Sequence, residues 1–455
     1  MTKSFLTRLA LVCVIVVGVL SILATGGGGG GSKGGGGGGN GGFSPSAVFT
    51  ADKDVDGTTE LFATNPGTEI RKLSGPMVVG GNVNRFTVSP DRTHVAYIAD
   101  QDTDGVNELY VVPVVGGTPV KVSGDFTAGG SVWNFRWAPD SSRIAYTADQ
   151  DLPGVFELYT VRPDGMAGNV KVSGVLVTDG DVNISSFAWA PDSSRIAYIA
   201  DQETDEVDEL YTSLPGGGGN VKVSGPMVAG GDAGANTLGP ELFRWAPDSS
   251  RIAYIADQDT DGVRELYSSL PGGGGNVKVS GPLVAGGDVS FFFPWAPDSS
   301  RLAYTADQNT DEVDEVYTSL AGGGGNVKVS GPLVAGGEIG GQFSSVDLFE
   351  WAPNSTRIAY VADQDTVNVL ELYTVVPSGS GNVKVSGPLV GDVGFPFNNN
   401  SYAWAPDSSR IAYIADQDTG GVKELYTSLA GGGDNTKVSG LLVAGGDVFR
   451  FDLID

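Results

Sequence analysis

The sequence predicts an all-β chain folded as an eight-bladed β-propeller of four-stranded antiparallel blades, closed by pairing the C-terminal strand with the N-terminal blade. Three observations lead there. The segment Trp137-Ala-Pro-Asp-Ser-Ser-Arg-Ile-Ala-Tyr146 recurs with small changes from Trp189, Trp245, Trp295, Trp351 and Trp404, and more loosely from Val88. Its prolines, at 90, 139, 191, 247, 297, 353 and 406, set a period of 49 to 56 residues. No stretch after residue 46 carries helical periodicity, and four-stranded units at this period stack radially as blades.

The fifth copy shows how each element is read. Leu242–Ala246 is strand a, and Pro247-Asp-Ser-Ser is the tight turn that follows it. Arg251–Ala256 is strand b, apolar on both sides as a strand covered on both faces should be. Asp257–Gly262 is a hairpin loop, Glu265–Leu270 is strand c, Gly272–Gly275 turns the chain and Asn276–Ser280 is strand d. Strand d lies at the outer rim, and each copy carries a basic residue there, from Arg71 and Lys121 to Lys384 and Lys437, which guards an exposed edge against foreign strands. The first copy has no preceding Trp-Ala-Pro-Asp, and Val448–Leu453 ends the chain where that missing strand would stand. Joining the two completes eight blades over 46–455. A division into two smaller propellers would require a linker, and none interrupts the period.

Residues 1–25 read as a secretory signal. Lys3 and Arg8 precede the apolar run Leu9–Leu23, short of the about 20 residues that span a membrane. Residues 26–45 are a flexible glycine-rich linker. The chain is therefore expected to be exported to the periplasm, the cell surface or the exterior, and to be no integral membrane protein once the signal is cleaved. Cys13, the one cysteine, lies inside the apolar run, so lipidation is not indicated and an intrachain disulfide is impossible. Acidic residues number 54 against 27 basic ones, a net charge of -27, which argues against nucleic acid as a partner. A single His, His94, removes multi-histidine metal and triad chemistry by counting.

The blade signature Trp-Ala-Pro-Asp-Ser-Ser-Arg-Ile-Ala-Tyr followed by Glu-Leu-Tyr resembles the TolB-type propeller repeat and covers 46–455. The resemblance implies the fold. It does not select among the functions that repeat serves, which include periplasmic Tol components and peptidase propeller domains.

The b–c hairpins hold the one constellation with metal chemistry. Asp52/Asp54/Asp56 with Glu60, Asp100/Asp102/Asp104 with Glu108, and Asp257/Asp259/Asp261 with Glu265 follow D-x-D-x-D-G-x-x-E. Alternate carboxylates in a loop turned by Gly can converge on one calcium ion, with a backbone carbonyl completing the set. The pattern resembles the calcium hairpins of integrin alpha-chain propellers. In the other copies it is eroded, for example by Pro153, Glu203, Asn309, Val367 and Gly420. Without metal these are solvated acidic turns. The repeated Trp residues are expected to pack between blades, and the turn Asp residues to bind local amides.

These features predict a non-enzymatic, monomeric, exported scaffold that binds a protein or glycan partner, with calcium in the three intact hairpins. The alternatives are a polysaccharide lyase or hydrolase with its site in the central channel, or a Tol–Pal-like envelope component.

Overall fold

A computed structural model describes residues 43–453 apart from 68, 167, 235–241, 338, 341–348, 391–400 and 444. The expected signal 1–25 and nearly all of the linker 26–45 lie outside the described residues. The described chain is all-β, with no helix long and apolar enough to cross a membrane. Its strands form eight antiparallel sheets in sequence order, the eight blades of a propeller.

The first blade has three strands, Ala47–Ala51, Glu60–Thr64 and Ile70–Lys72. The second runs Val83–Val88, His94–Ala99, Glu108–Pro113 and Val120–Lys121, and the third Val132–Trp137, Ile144–Ala148, Glu157–Val161 and Val170–Lys171. The fourth is Val182–Trp189, Ile196–Ala200, Glu209–Ser213 and Val221–Lys222, and the fifth Phe243–Trp245, Ile252–Ala256, Glu265–Ser269 and Val277–Lys278. The seventh is Phe349–Trp351, Ile358–Ala362, Glu371–Val375 and Val383–Lys384, and the eighth Tyr402–Trp404, Arg410–Ala415, Glu424–Leu429 and Thr436–Lys437. The sixth keeps only Arg301–Ala306, Glu315–Leu320 and Val327–Lys328 as full strands. Pro294 sits where its inner strand would run and has no N–H for the ladder, so isolated bridges at Val289 and Trp295 replace that strand.

Register repeats from blade to blade. Tyr254 faces Tyr267 as Tyr146 faces Tyr159, and the paired rings stack at 5.6 and 5.4 Å. Seven buried apolar clusters each join one blade to the next, such as Ala197, Ile199, Leu210 and Val223 of the fourth with Phe243, Ile252, Tyr254 and Tyr267 of the fifth. The inner Trp residues are packing elements, as expected, and they also hydrogen-bond. Nε1–H of Trp189 donates to Arg136 O at 3.1 Å, and that of Trp245 to Ala188 O at 3.2 Å, each reaching the preceding blade's inner strand.

The turns supply a second chain of links. Ser193 adopts φ 62°, a left-handed conformation that costs a non-glycine residue about 1 kcal/mol. Its Oγ accepts from the Asp140 N–H of the preceding blade at 3.1 Å, and Ser249 does the same for Asp192. Asp140 Oδ1 in turn accepts the local Ser142 N–H at 3.0 Å, the role expected of the turn aspartates.

The two faces of the disc separate as the strand directions require. Arg251, before strand b, donates to Gly275 O in the c–d loop, whereas Asp257, after it, accepts from Asp232 N–H in the d–a loop.

The expected closure is not formed. Val448–Leu453 carries no strand, and Ala47–Ala51 pairs only with Glu60–Thr64 among the described residues. The physical reason lies in the packing: the buried clusters run from the first blade to the eighth, and none sets the eighth against the first.

Candidate functional site

The acidic hairpins come first, because the sequence singles them out. In each blade the leading Asp is drawn into backbone hydrogen bonds. Asp257 Oδ1 accepts from Asp232 N–H and Oδ2 from Gly262 N–H, at 2.5 and 2.9 Å. Asp100 does the same with Asn82 and Gly105 N–H, at 2.6 and 3.1 Å. The closing Glu points the other way, toward strand d. Glu265 Oε1 lies 2.7 Å from Lys278 Nζ, and Oε2 accepts from Tyr267 OH at 2.7 Å. Glu108 is held likewise by Lys121 at 2.9 Å and Tyr110 at 2.6 Å. Asp259 completes the cluster by pairing with the same Lys278 at 2.8 Å.

This Glu–Lys–Tyr clamp recurs from the second blade to the eighth, with the glutamate buried each time. Burial, then the glutamate, raises Tyr267 far above its ordinary value of 10.0. Lys121 is also raised, first by its hydrogen bond to Glu108. The lysines of strand d therefore do more than guard an edge. In the first blade the clamp residue is Lys72, bonded to Glu60, and not Arg71. Arg71 instead covers the Phe43 ring at 4.2 Å and donates to Val115 O of the second blade.

The hairpins thus bring neither Asp257, Asp259, Asp261 and Glu265 nor Asp100, Asp102, Asp104 and Glu108 to one point. In the first hairpin Asp54 pairs with Lys53 and Glu60 with Lys72, while Asp52 and Asp56 have no printed partner in common with them. Among the described residues no group of three or more His, Cys, Asp or Glu is arranged to hold a metal ion. The donor set therefore does not fit calcium in this arrangement, because the glutamate oxygens it would need are taken by Lys and Tyr. Asp232, which the motif omits, is raised above the ordinary carboxyl value by burial first, and then by Asp257 and Asp261.

The inner strands carry a different constellation. Arg136 lies between Phe135 and Trp137 on one of them, half-buried, with its guanidinium 5.5 Å from the Phe187 ring centre. Its Nε is buried with no hydrogen-bond partner among the described residues. Burial, and then the nearby Arg85 guanidinium, lower its pKa. Arg85, on the neighbouring inner strand, stacks 5.5 Å over Phe135 and donates to Asn134 Oδ1. Neither guanidinium meets a carboxylate among the described residues. Trp133, at the start of the same strand as Arg136, is 52% exposed. Further round, Phe292, Pro294, Trp295, Phe349 and Trp351 line a cavity of about 340 Å³ that contains Glu350.

Sequence reasoning found Arg136, Arg244 and Glu350 through the Phe-x-Trp pattern but missed Arg85 and Asn134. The signal available was the polar residue preceding the inner-strand Phe in Arg85-Phe86 and Asn134-Phe135.

No known protein family matches the sequence, and no curated protein matches it. Solved structures do share the fold. A dipeptidyl peptidase 4 from Porphyromonas gingivalis is 9% identical with a TM-score of 0.47, over 84% of this chain and 56% of that one. The oligogalacturonate lyase of Vibrio parahaemolyticus is 13% identical with a TM-score of 0.35, over 84% and 96%. A putative TolB from Agrobacterium tumefaciens is 14% identical with a TM-score of 0.30, over 57% and 83%. The chain spans about half the length of the peptidases it matches. The expectation of a non-enzymatic protein is corrected here, because solved structures that share the architecture include peptidases and lyases. TolB is one of several likenesses, and the chain is a propeller scaffold of the kind found in all of them.

Proposed function

We infer that the chain binds an acidic polysaccharide along the inner strands of its second and third blades. The observation that carries this is the Arg85–Arg136 pair: two adjacent guanidinium groups without a carboxylate partner, in a chain of net charge -27. Like charges held together at a half-buried site are unfavourable until an anion joins them. A guanidinium fork matches a carboxylate in two parallel hydrogen bonds. A chain of sugars bearing carboxylates presents such groups at intervals, and the exposed Trp133 ring offers an apolar face with a polar edge to a sugar. The proposed place of action is outside the cytoplasm, supported by Lys3, Arg8 and Leu9–Leu23.

A second reading, cleavage of the bound glycan, is favoured by Glu350. It is the one carboxyl in the aromatic-lined cavity, a setting in which acid–base groups are tuned. Calorimetric titration with oligogalacturonate and with a neutral oligoglucan of equal length tests binding. The acidic ligand should bind, and more weakly as salt rises, while the neutral one should not. An Arg85→Gln/Arg136→Gln variant should lose about tenfold or more in affinity, since each charge-assisted hydrogen bond contributes about 1.5–3 kcal/mol. Equal affinity for both ligands would overturn the proposal. Release of new sugar ends by wild type but not by Glu350→Gln would establish the second reading.

A further inference from the structure

The chain has two unfinished ends that match each other. The first blade lacks an inner strand, and among the described residues the free edge of Ala47–Ala51 pairs with nothing. At the opposite end, Asp447 and Val448 make the hydrogen bonds that launch an inner strand elsewhere. Lys423 N–H donates to Asp447 Oδ1 at 2.7 Å, and Val448 N–H to Lys423 O at 2.8 Å. The same two bonds join Thr59 to Asn82 and Val83, and Arg264 to Asp288 and Val289. The residues repeat as well: Val448-Phe-Arg-Phe451-Asp-Leu453 follows Val83-Asn-Arg-Phe86-Thr-Val88 and Val132-Trp-Asn-Phe135-Arg-Trp137. Yet no strand forms beyond Val448, and Phe449 is 74% exposed.

The blade faces tell the same story. Leu210 and Val223 of the fourth blade are covered by the fifth, whereas their counterparts in the eighth, Leu425 and Val438, are half-buried and exposed. At the first blade, Phe49 is only half-buried where Tyr97, Tyr146 and Tyr198 are buried. One end of the chain presents the surface that the other end's counterparts cover between every pair of successive blades.

We propose that Val448–Leu453 of one copy completes the first blade of a second copy, setting the eighth blade of the donor against the first blade of the acceptor. A strand with a free edge is completed by an added strand, and the contact between copies continues the interface already repeated within each chain. The partner is a second copy because the two ends of one chain do not meet. The register follows from the second blade, where Arg85 faces Ile98, Phe86 faces Tyr97 and Val88 faces Val95. Arg450 of the donor then faces Thr50 of the acceptor, Phe451 faces Phe49 and Leu453 faces Ala47. Such a head-to-tail contact is heterologous, so copies join into a ring or an open chain.

Cysteine cross-linking tests this on the full chain carrying Cys13→Ser. Thr50 and Arg450 are both exposed, so Thr50→Cys and Arg450→Cys leave the core intact. Mixed and oxidised, the two single variants should give a disulfide-linked dimer that neither gives alone. The double variant should give a ladder of linked chains. A link closed within one chain, or no link in the mixture, would overturn the proposal. Light scattering on wild type should show a mass above one chain that falls on dilution; a single-chain mass at every concentration would equally overturn it.

Discussion

Phe62 stands where the later blades place a tyrosine, and Oε2 of the buried Glu60 beside it has no hydrogen-bond partner. In the fifth blade the same oxygen of Glu265 accepts from Tyr267 OH at 2.7 Å. The first blade thus has the lysine half of the clamp, Lys72, without the hydroxyl half. Phe62→Tyr should supply the missing donor and stabilise the protein by about 1–2 kcal/mol, as a hydrogen bond to a charged group does. Tyr267→Phe should cost a similar amount or more by orphaning Glu265. Chemical denaturation of the two variants checks both signs.

The alkaline limb of stability follows from the same clamps. Lys121, Lys171 and Lys278 are raised in the folded protein above the ordinary 10.5, and Tyr254 is pushed up to about 12 from 10.0 by burial. A raised folded value means that the folded state holds its proton after the unfolded chain has lost it. The associated stability is complete below about pH 10 and is lost as pH rises through the folded values. Melting temperature should therefore fall between about pH 10 and 12. A flat profile across that window would show that the clamps do not contribute.

At the inter-blade turns, Ser193 combines a left-handed backbone with a hydroxyl that serves the preceding blade. Ser193→Gly removes the hydrogen bond but relieves the backbone, whereas Ser193→Ala removes the bond and keeps the strain. The alanine variant should be the less stable of the two by about 1 kcal/mol. Equal stabilities would assign the turn's contribution to the hydroxyl alone.

Calcium would have to displace Lys278 from Asp259 and Glu265 before it met three carboxylates of that hairpin. Millimolar calcium and chelator should therefore leave the melting temperature unchanged. A saturable rise with calcium, abolished by Asp259→Ala, would show that the hairpin re-forms around the ion.

The blades were legible in the sequence because one pattern of alternation and turn residues recurs at a nearly constant spacing, and strands b, c and d fall where that pattern puts them. Pro294 likewise announced the weak inner strand of the sixth blade. The hairpin carboxylates were not legible. Spacing brings Asp257, Asp259, Asp261 and Glu265 close along the chain, but their partners Lys278 and Tyr267 are set by cross-strand register. The same register separates Lys72 from Arg71, which are equivalent by charge alone. The Arg85–Arg136 pair needs contact between two blades, which sequence spacing does not report.

Amide hydrogen exchange with and without oligogalacturonate tests the binding site most directly. The account predicts protection confined to the inner strands 83–88 and 132–137, lost in Arg85→Gln/Arg136→Gln. Protection confined to the acidic hairpins 100–108 and 257–265, or none at saturating ligand, would contradict it.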